Sequence, residues 1–277
     1  MVRFVRSLTA VAAVLVFLVS AAAAAEPRVL IEGSGDSQEL LRGLAQAFST
    51  AHPELVVEVG ESIGSTGGVR AVAGGRSELG RVSRPLNDKE RYLGLEYQVF
   101  AWSPVVFAAN LPGGCLDNLA SEQILGLYSG AISNWKELGP CPDQKIYLAV
   151  REEGDSSRRV LEQELSGFQE IDTPAGKVIY STPQTVEILE TVPFTLAYVP
   201  LAALGGSKLV VFRLDSVAAD AAAVLRGDYP AVTPFALVWK KPLSATARMF
   251  LDFVGSPAGE KIIRDFGVVP ASADLPK

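Results

Sequence analysis

The chain has 277 residues, a formal net charge of −6 and a single histidine. Its acidity argues against nucleic acid as a partner. His52, in a turn remote from the hydroxyl-rich loops, provides neither a zinc cluster nor a base for a serine nucleophile.

The first residues predict a secretory leader. Arg3 and Arg6 precede a nearly wholly apolar run over 8–19, and Ala21 to Ala25 supply small residues for cleavage close to Ala25-Glu26. An uncleaved anchor is the competing reading, because the apolar stretch with its alanines approaches the roughly 20 residues of a membrane span; the alanine-rich end favours cleavage. With 1–25 removed, the mature product is expected in the periplasm or outside the cell. It is long enough for two domains of moderate size. Removal of the leader also takes Arg3 and Arg6, so the body becomes more acidic, and anion binding there must be local.

Strand-like and helix-like segments then alternate. Residues 28–32 predict a strand, and Leu40, Leu41, Leu44, Ala47 and Phe48 recur at helical spacing. A strand is expected over 55–59, then a short helix through 69–72 that Gly74-Gly75 ends. Residues 99–110 are long, apolar and extended, and 231–239 repeat that character, which suggests two strands crossing between domains. Between them, helices are predicted over 121–128, 156–165 and 183–189, and strands over 145–150 and 195–199. Amphipathic helices over 245–254 and 258–265 return to the first domain. The expected fold class is α/β: two domains with mostly parallel sheets flanked by helices, joined by two crossing hinge strands. Domain I takes 26–104 plus 236–277 and domain II takes 105–235.

Cys115 and Cys141 are the only cysteines, and in an exported chain they most simply form one disulfide, two buried free thiols being the alternative. A bridge closing such a loop contributes about 3 kcal/mol in the chain-entropy picture.

Three segments share one chemistry: Gly33-Ser34-Gly35-Asp36-Ser37, Gly64-Ser65-Thr66-Gly67-Gly68 and Gly154-Asp155-Ser156-Ser157, each leading into a helix-like pattern. A helix start leaves amide N–H groups without internal partners and carries about half a positive charge, so it binds oxyanions with no metal or other cofactor. Arg151 adds a forked guanidinium suited to a tetrahedral oxyanion. Each segment alone also reads as an ordinary helix cap.

Taken with Ser83-Arg84-Pro85-Leu86, Ile132-Ser133-Asn134-Trp135 and the stretch from Phe250 to Pro270, these motifs resemble the periplasmic phosphate-binding proteins of ABC transporters across essentially the whole mature chain. The resemblance implies a type II periplasmic binding protein fold, closure of a cleft on dehydrated phosphate, a membrane permease as partner, a monomer, and no catalysis. Carried over position by position, the anion meets Ser37, the Gln38 backbone, Ser65, Arg151, Asp155, Ser156 and Ser157.

Two positions depart from the family pattern. Arg84 stands where an Asp usually accepts the proton of phosphate, and Asp155 replaces a hydroxyl residue on the opposite wall. Asp155 as a mirrored proton acceptor, with Arg84 adding donors to the anion, preserves phosphate selectivity. A helix cap explains Asp155 equally well, and Arg84 has solvent or a carboxylate as alternatives; the ligand is then sulfate or another anion, and the role is that of a binder or sensor signalling through a membrane partner. Glu153, in preference to Glu152, is expected to hold Arg151 from behind, while Arg158 and Arg159 read as solvated charge, with one of the pair reaching the cleft rim as the alternative. No nucleophile elbow, metal-ligand cluster or phosphate-binding loop ending in Gly-Lys-Ser or Gly-Lys-Thr is present in the sequence.

Overall fold

The computed structural model describes residues 28–273 and 275, so the leader expected over 1–25 lies outside the described residues. Strands β1 (Arg28–Gly33), β2 (Val56–Ser62) and β3 (Leu79–Val82) alternate with helices α1 (Gln38–Ala51) and α2 (Gly64–Ala73). The one-turn helix α3 (Asp88–Arg91) leads into the 14-residue strand β4 (Glu96–Ala109). Next come β5 (Asn118–Leu119), α4 (Ser121–Ser129), β6 (Tyr147–Arg151), α5 (Ser156–Glu164), β7 (Lys177–Ile179), α6 (Thr182–Thr191) and β8 (Thr195–Pro200). The chain continues through β9 (Val210–Val211), β10 (Arg213–Leu214), α7 (Ala221–Arg226), β11 (Val232–Trp239), α8 (Ala245–Val254), α9 (Pro257–Asp265) and β12 (Val269–Pro270).

One sheet runs β2-β1-β3-β11-β4-β8-β6-β7, with β9 and β12 also paired to β4. Its first wing (β2, β1, β3) and its second wing (β8, β6, β7) are each parallel, as helix-connected strands are. The ladders that β11 and β4 make between the wings are antiparallel. β4 serves both wings: Glu96 to Pro104 pair with β11, and Val105 to Ala109 pair with β8. Pro104 lies at that handover, where a missing backbone N–H costs the ladder least.

The packing follows the sequence pattern. Leu40, Leu41, Leu44 and Phe48 turn one face of α1 into the first wing's core, where Phe250 of α8 meets the Phe48 ring edge-on at 5.5 Å. In the second wing Phe107, Tyr128, Phe168 and Tyr198 make a connected aromatic cluster. Every residue of β8 is buried, which suits its position between β4 and β6. Cys115 and Cys141 form the expected disulfide, with Cα atoms 5.2 Å apart. Trp135 lies fully buried inside that loop, its indole donating to the Phe194 carbonyl at 3.2 Å. No helix among the described residues is long and apolar enough to cross a membrane.

Candidate functional site

The carboxyl ends of β1, β2 and β6 bring the hydroxyl-rich segments together between the wings. A cavity of about 250 Å3 opens there, lined by Ser34, Ser65, Arg84, Arg151, Asp155 and Ser156 among others. Its walls touch directly, the Ser65 hydroxyl of α2 meeting the Ser156 hydroxyl of α5 at 3.2 Å. Close approach depends on small residues. A Cβ on Gly35 would lie 2.5 Å from Pro183 of α6, and one on Gly68 would lie 2.8 Å from the Gly33 backbone.

Arg151 ends β6 and is 5% exposed. Its backbone N–H donates to the Tyr198 hydroxyl at 3.1 Å, which anchors the strand end. Its Nε donates to the Ile179 carbonyl at 3.0 Å, Nη1 to the Thr182 hydroxyl at 2.7 Å, and Nη2 faces Asp155 Oδ2 at 2.8 Å. Each terminal nitrogen carries two hydrogens, so each retains one for a guest. Burial disfavours the Arg151 charge, but Asp155, Asp36 and Glu152 outweigh it and raise the pKa. The carboxylate behind the guanidinium is Glu152, at 3.3 Å from Nε, and not the expected Glu153, which is exposed on the cavity rim.

Asp155 has two jobs at once. Its Oδ1 caps α5 by accepting the Arg158 N–H at 3.0 Å, while Oδ2 turns to Arg151. Burial pushes its pKa up to about 7, opposed by Arg151 and reinforced by the Asp36 charge. Arg158 is not the solvated charge that was expected: it folds back to donate to the Arg151 carbonyl at 3.3 Å and to Glu162 at 2.7 Å, whereas Arg159 is exposed.

Arg84 lines the cavity but is committed to Glu90. Its two terminal nitrogens bond that carboxylate at 2.7 and 2.8 Å, and Nη2 also reaches the Thr66 hydroxyl at 3.0 Å. Burial would raise the Glu90 pKa, yet the Arg84 bonds and the Asn87 amide hold it below the ordinary carboxylate range. The pair is buried and neutral, so it supplies shape and hydrogen-bond direction while its net field is small. The Gln38 amide already donates to the Gly35 carbonyl at 3.2 Å, and its side chain accepts from Arg81.

The hydroxyls of Ser37 and Ser157 and one carboxylate oxygen of Asp36 are buried with no hydrogen-bond partner. Each such orphan costs about 1–3 kcal/mol, and all three lie in the segments that lead into α1 and α5, Asp36 close enough to Arg151 to favour its charge. α1 and α2 also start without any side-chain cap, although the first amide of α1, that of Gln38, is taken by the Gly35 carbonyl.

Two residues at the candidate site escaped sequence reasoning. Asp36, inside the first hydroxyl-rich segment, accepts a hydrogen bond from Thr182, and Thr182 opens α6, a fourth helix start at the cleft. Ser181-Thr182-Pro183 carries a legible signal, a Ser cap followed by Pro in the first turn, but no glycine marked it as a loop facing a ligand.

The chain is similar to known proteins over most of its length. The model of the PBP superfamily domain matches residues 19–258. The phosphate-binding protein PstS of Bacillus subtilis is 26% identical over 249 residues, covering 87% of this chain and 80% of the relative. A Clostridium perfringens protein solved with bound phosphate superposes with a TM-score of 0.76 at 26% identity, covering 88% of this chain and 99% of the other. A phosphate-binding protein from Stenotrophomonas maltophilia, at 16% identity, shares the fold with a TM-score of 0.69, over 88% of this chain and 91% of that one.

Proposed function

From the premise that this chain belongs to the PBP superfamily, we propose that it is an extracytoplasmic solute-binding protein that captures phosphate, or a related tetrahedral oxyanion, for an ABC importer. The observation that carries this reading is the cavity between the wings that Ser65, Arg151, Asp155 and Ser156 line together, with unpartnered oxygens of Asp36, Ser37 and Ser157 buried in the segments that lead into α1 and α5. Phosphate is the named ligand of the Bacillus subtilis relative and the bound molecule of the Clostridium perfringens structure.

In this reading, domain I (26–104 plus 236–277) supplies Ser37, Ser65 and Arg84, and domain II (105–235) supplies Arg151, Asp155, Ser156 and Ser157. Part of the β4–β11 ladder serves as the hinge. Closure removes water, so every hydrogen bond to the guest strengthens. The protein acts as a monomer that delivers its guest to a membrane permease, and no covalent step is involved.

Selectivity follows from the carboxylates. Asp36 and Asp155 flank one guanidinium, so a fully ionised guest meets two like charges, whereas hydrogen phosphate donates its proton to one of them. Asp155 is the nearer candidate because it lines the cavity.

Titration calorimetry of anion-stripped protein with phosphate, arsenate, sulfate and molybdate tests the reading. Phosphate and arsenate should bind, and sulfate should bind at least tenfold more weakly at pH 8. Equal affinity for sulfate would assign the cleft to another anion. Phosphatase or esterase turnover that survives rigorous purification would overturn capture without catalysis.

A further inference from the structure

The second wing contains a larger cavity that the anion site does not use. It measures about 560 Å3, within the ~300–1,000 Å3 of small-molecule sites. It opens because β7 begins opposite Ala149, leaving β6 unpaired on that side at Tyr147 and Leu148. Leu127, Ile132, Ile146, Leu148, Ile188 and Val192 make its walls apolar.

Its charged groups are few and of one sign. Lys145 and Lys177 are exposed on its lining, and no Asp or Glu lines it, in a chain with 31 acidic residues. Among the described residues neither lysine is in an ion pair; the Lys145 ammonium lies 5.8 Å from the Tyr147 ring centroid, over an aromatic face that also lines the cavity. The Thr195 hydroxyl, on a residue 2% exposed, has no hydrogen-bond partner although it belongs to the lining. A buried hydroxyl left unmatched is costly unless something meets it.

We propose that this cavity binds a small amphiphilic carboxylate, its carboxylate held by Lys145 and Lys177, its apolar body on the Ile and Leu walls, and a hydrogen-bonding group reaching Thr195. The charge pattern selects the anion, since two cations and no acid face the guest. The apolar lining selects the body, and a bare inorganic oxyanion would leave it dry and unfilled. The site is separate from the oxyanion cleft and stands or falls independently of that reading.

The test uses the full mature protein and three probes: 8-hydroxyoctanoate, octanoate and 1,8-octanediol, with binding followed by calorimetry and by displacement of an environment-sensitive dye. The hydroxy acid should bind saturably with one site per chain. The diol should bind at least tenfold more weakly, and Lys145→Gln with Lys177→Gln should abolish that difference while leaving the melting temperature unchanged, because both lysines are exposed. Thr195→Val should bring the hydroxy acid down to the affinity of octanoate. Should Thr195→Val fail to fold, the lysine pair alone decides. Absence of saturable binding, or an acid affinity unchanged in the lysine double variant, would overturn the proposal.

Discussion

Thr182 donates its hydroxyl hydrogen to Asp36 across the cleft, joining two residues 146 positions apart in the chain. The same hydroxyl accepts from Arg151 Nη1 at 2.7 Å, so one side chain aligns the acid and the guanidinium together. A guest that displaces or extends this chain of bonds is read by all three groups.

Thr182→Val keeps the volume and removes both bonds. It leaves Asp36 and Arg151 Nη1 each short of a partner, a cost of about 1.5–3 kcal/mol for groups that carry charge. Phosphate affinity measured by calorimetry should fall tenfold or more, and Thr182→Ser should recover most of it.

Gly35→Ala adds a methyl group where Pro183 Cδ would be 2.5 Å away and Ser62 Oγ 2.9 Å away. The wings can no longer seat fully. Affinity should drop about tenfold, equivalent to about 1.4 kcal/mol, while the melting temperature of anion-free protein stays close to that of the parent. A normal affinity would mean that the close approach at Gly35 is not needed for capture.

Asp155→Asn tests the proton. Burial and Asp36 raise the Asp155 pKa to about 7, whereas in the unfolded chain it lies near ~3.9. The folded state therefore holds the proton to higher pH, so this group's contribution to stability is present below about pH 4 and is lost as pH rises through about 7. Denaturation midpoints across that window should decline with pH in the parent more steeply than in Asp155→Asn, whose amide still caps α5. Sulfate, which brings no proton, should likewise lose affinity above pH 7 in the parent and show a flatter profile in the variant.

Cys115→Ser with Cys141→Ser opens a loop spanning 26 positions. Chain entropy predicts a loss of about 3 kcal/mol in unfolding free energy. Because no residue between the two cysteines lines the oxyanion cavity, phosphate affinity should be unchanged. Urea unfolding paired with calorimetry separates the two effects.

Arg84 and Asp155 show how far the sequence could be read. The alternation of strands and helices and the two long extended strands follow from apolar spacing, a local signal, whereas the meeting of Ser65, Arg151, Asp155 and Ser156 was what the resemblance to phosphate-binding proteins implied. The partner of Arg84 was not local in that sense. Glu90 meets it only because Asn87 caps the single-turn helix α3, and nothing in the motif Ser83-Arg84-Pro85-Leu86 announces that turn. α2 begins at Gly64, earlier than its apolar residues 69–72 indicate, because its first turn is glycine- and hydroxyl-rich and packs through Gly68 without side-chain bulk. β3 was missed for a related reason: four buried residues that include Arg81 do not look like a core strand.

That buried arginine has a kinetic consequence. Arg81 spreads its donors over the Ser34, Ile31, Gly60 and Glu61 carbonyls and the Gln38 amide oxygen, at 2.6 to 3.1 Å. Burial and the neighbouring Arg42 lower its pKa to about 10, still far above neutrality, so it stays charged while touching no guest. It thus rivets the turn that bears Asp36 and Ser37 before any solute arrives. Encounter is then expected to be sequential: an incoming ion lands on a rigid platform, and the opposite jaw, carrying Arg151, decides how long it stays.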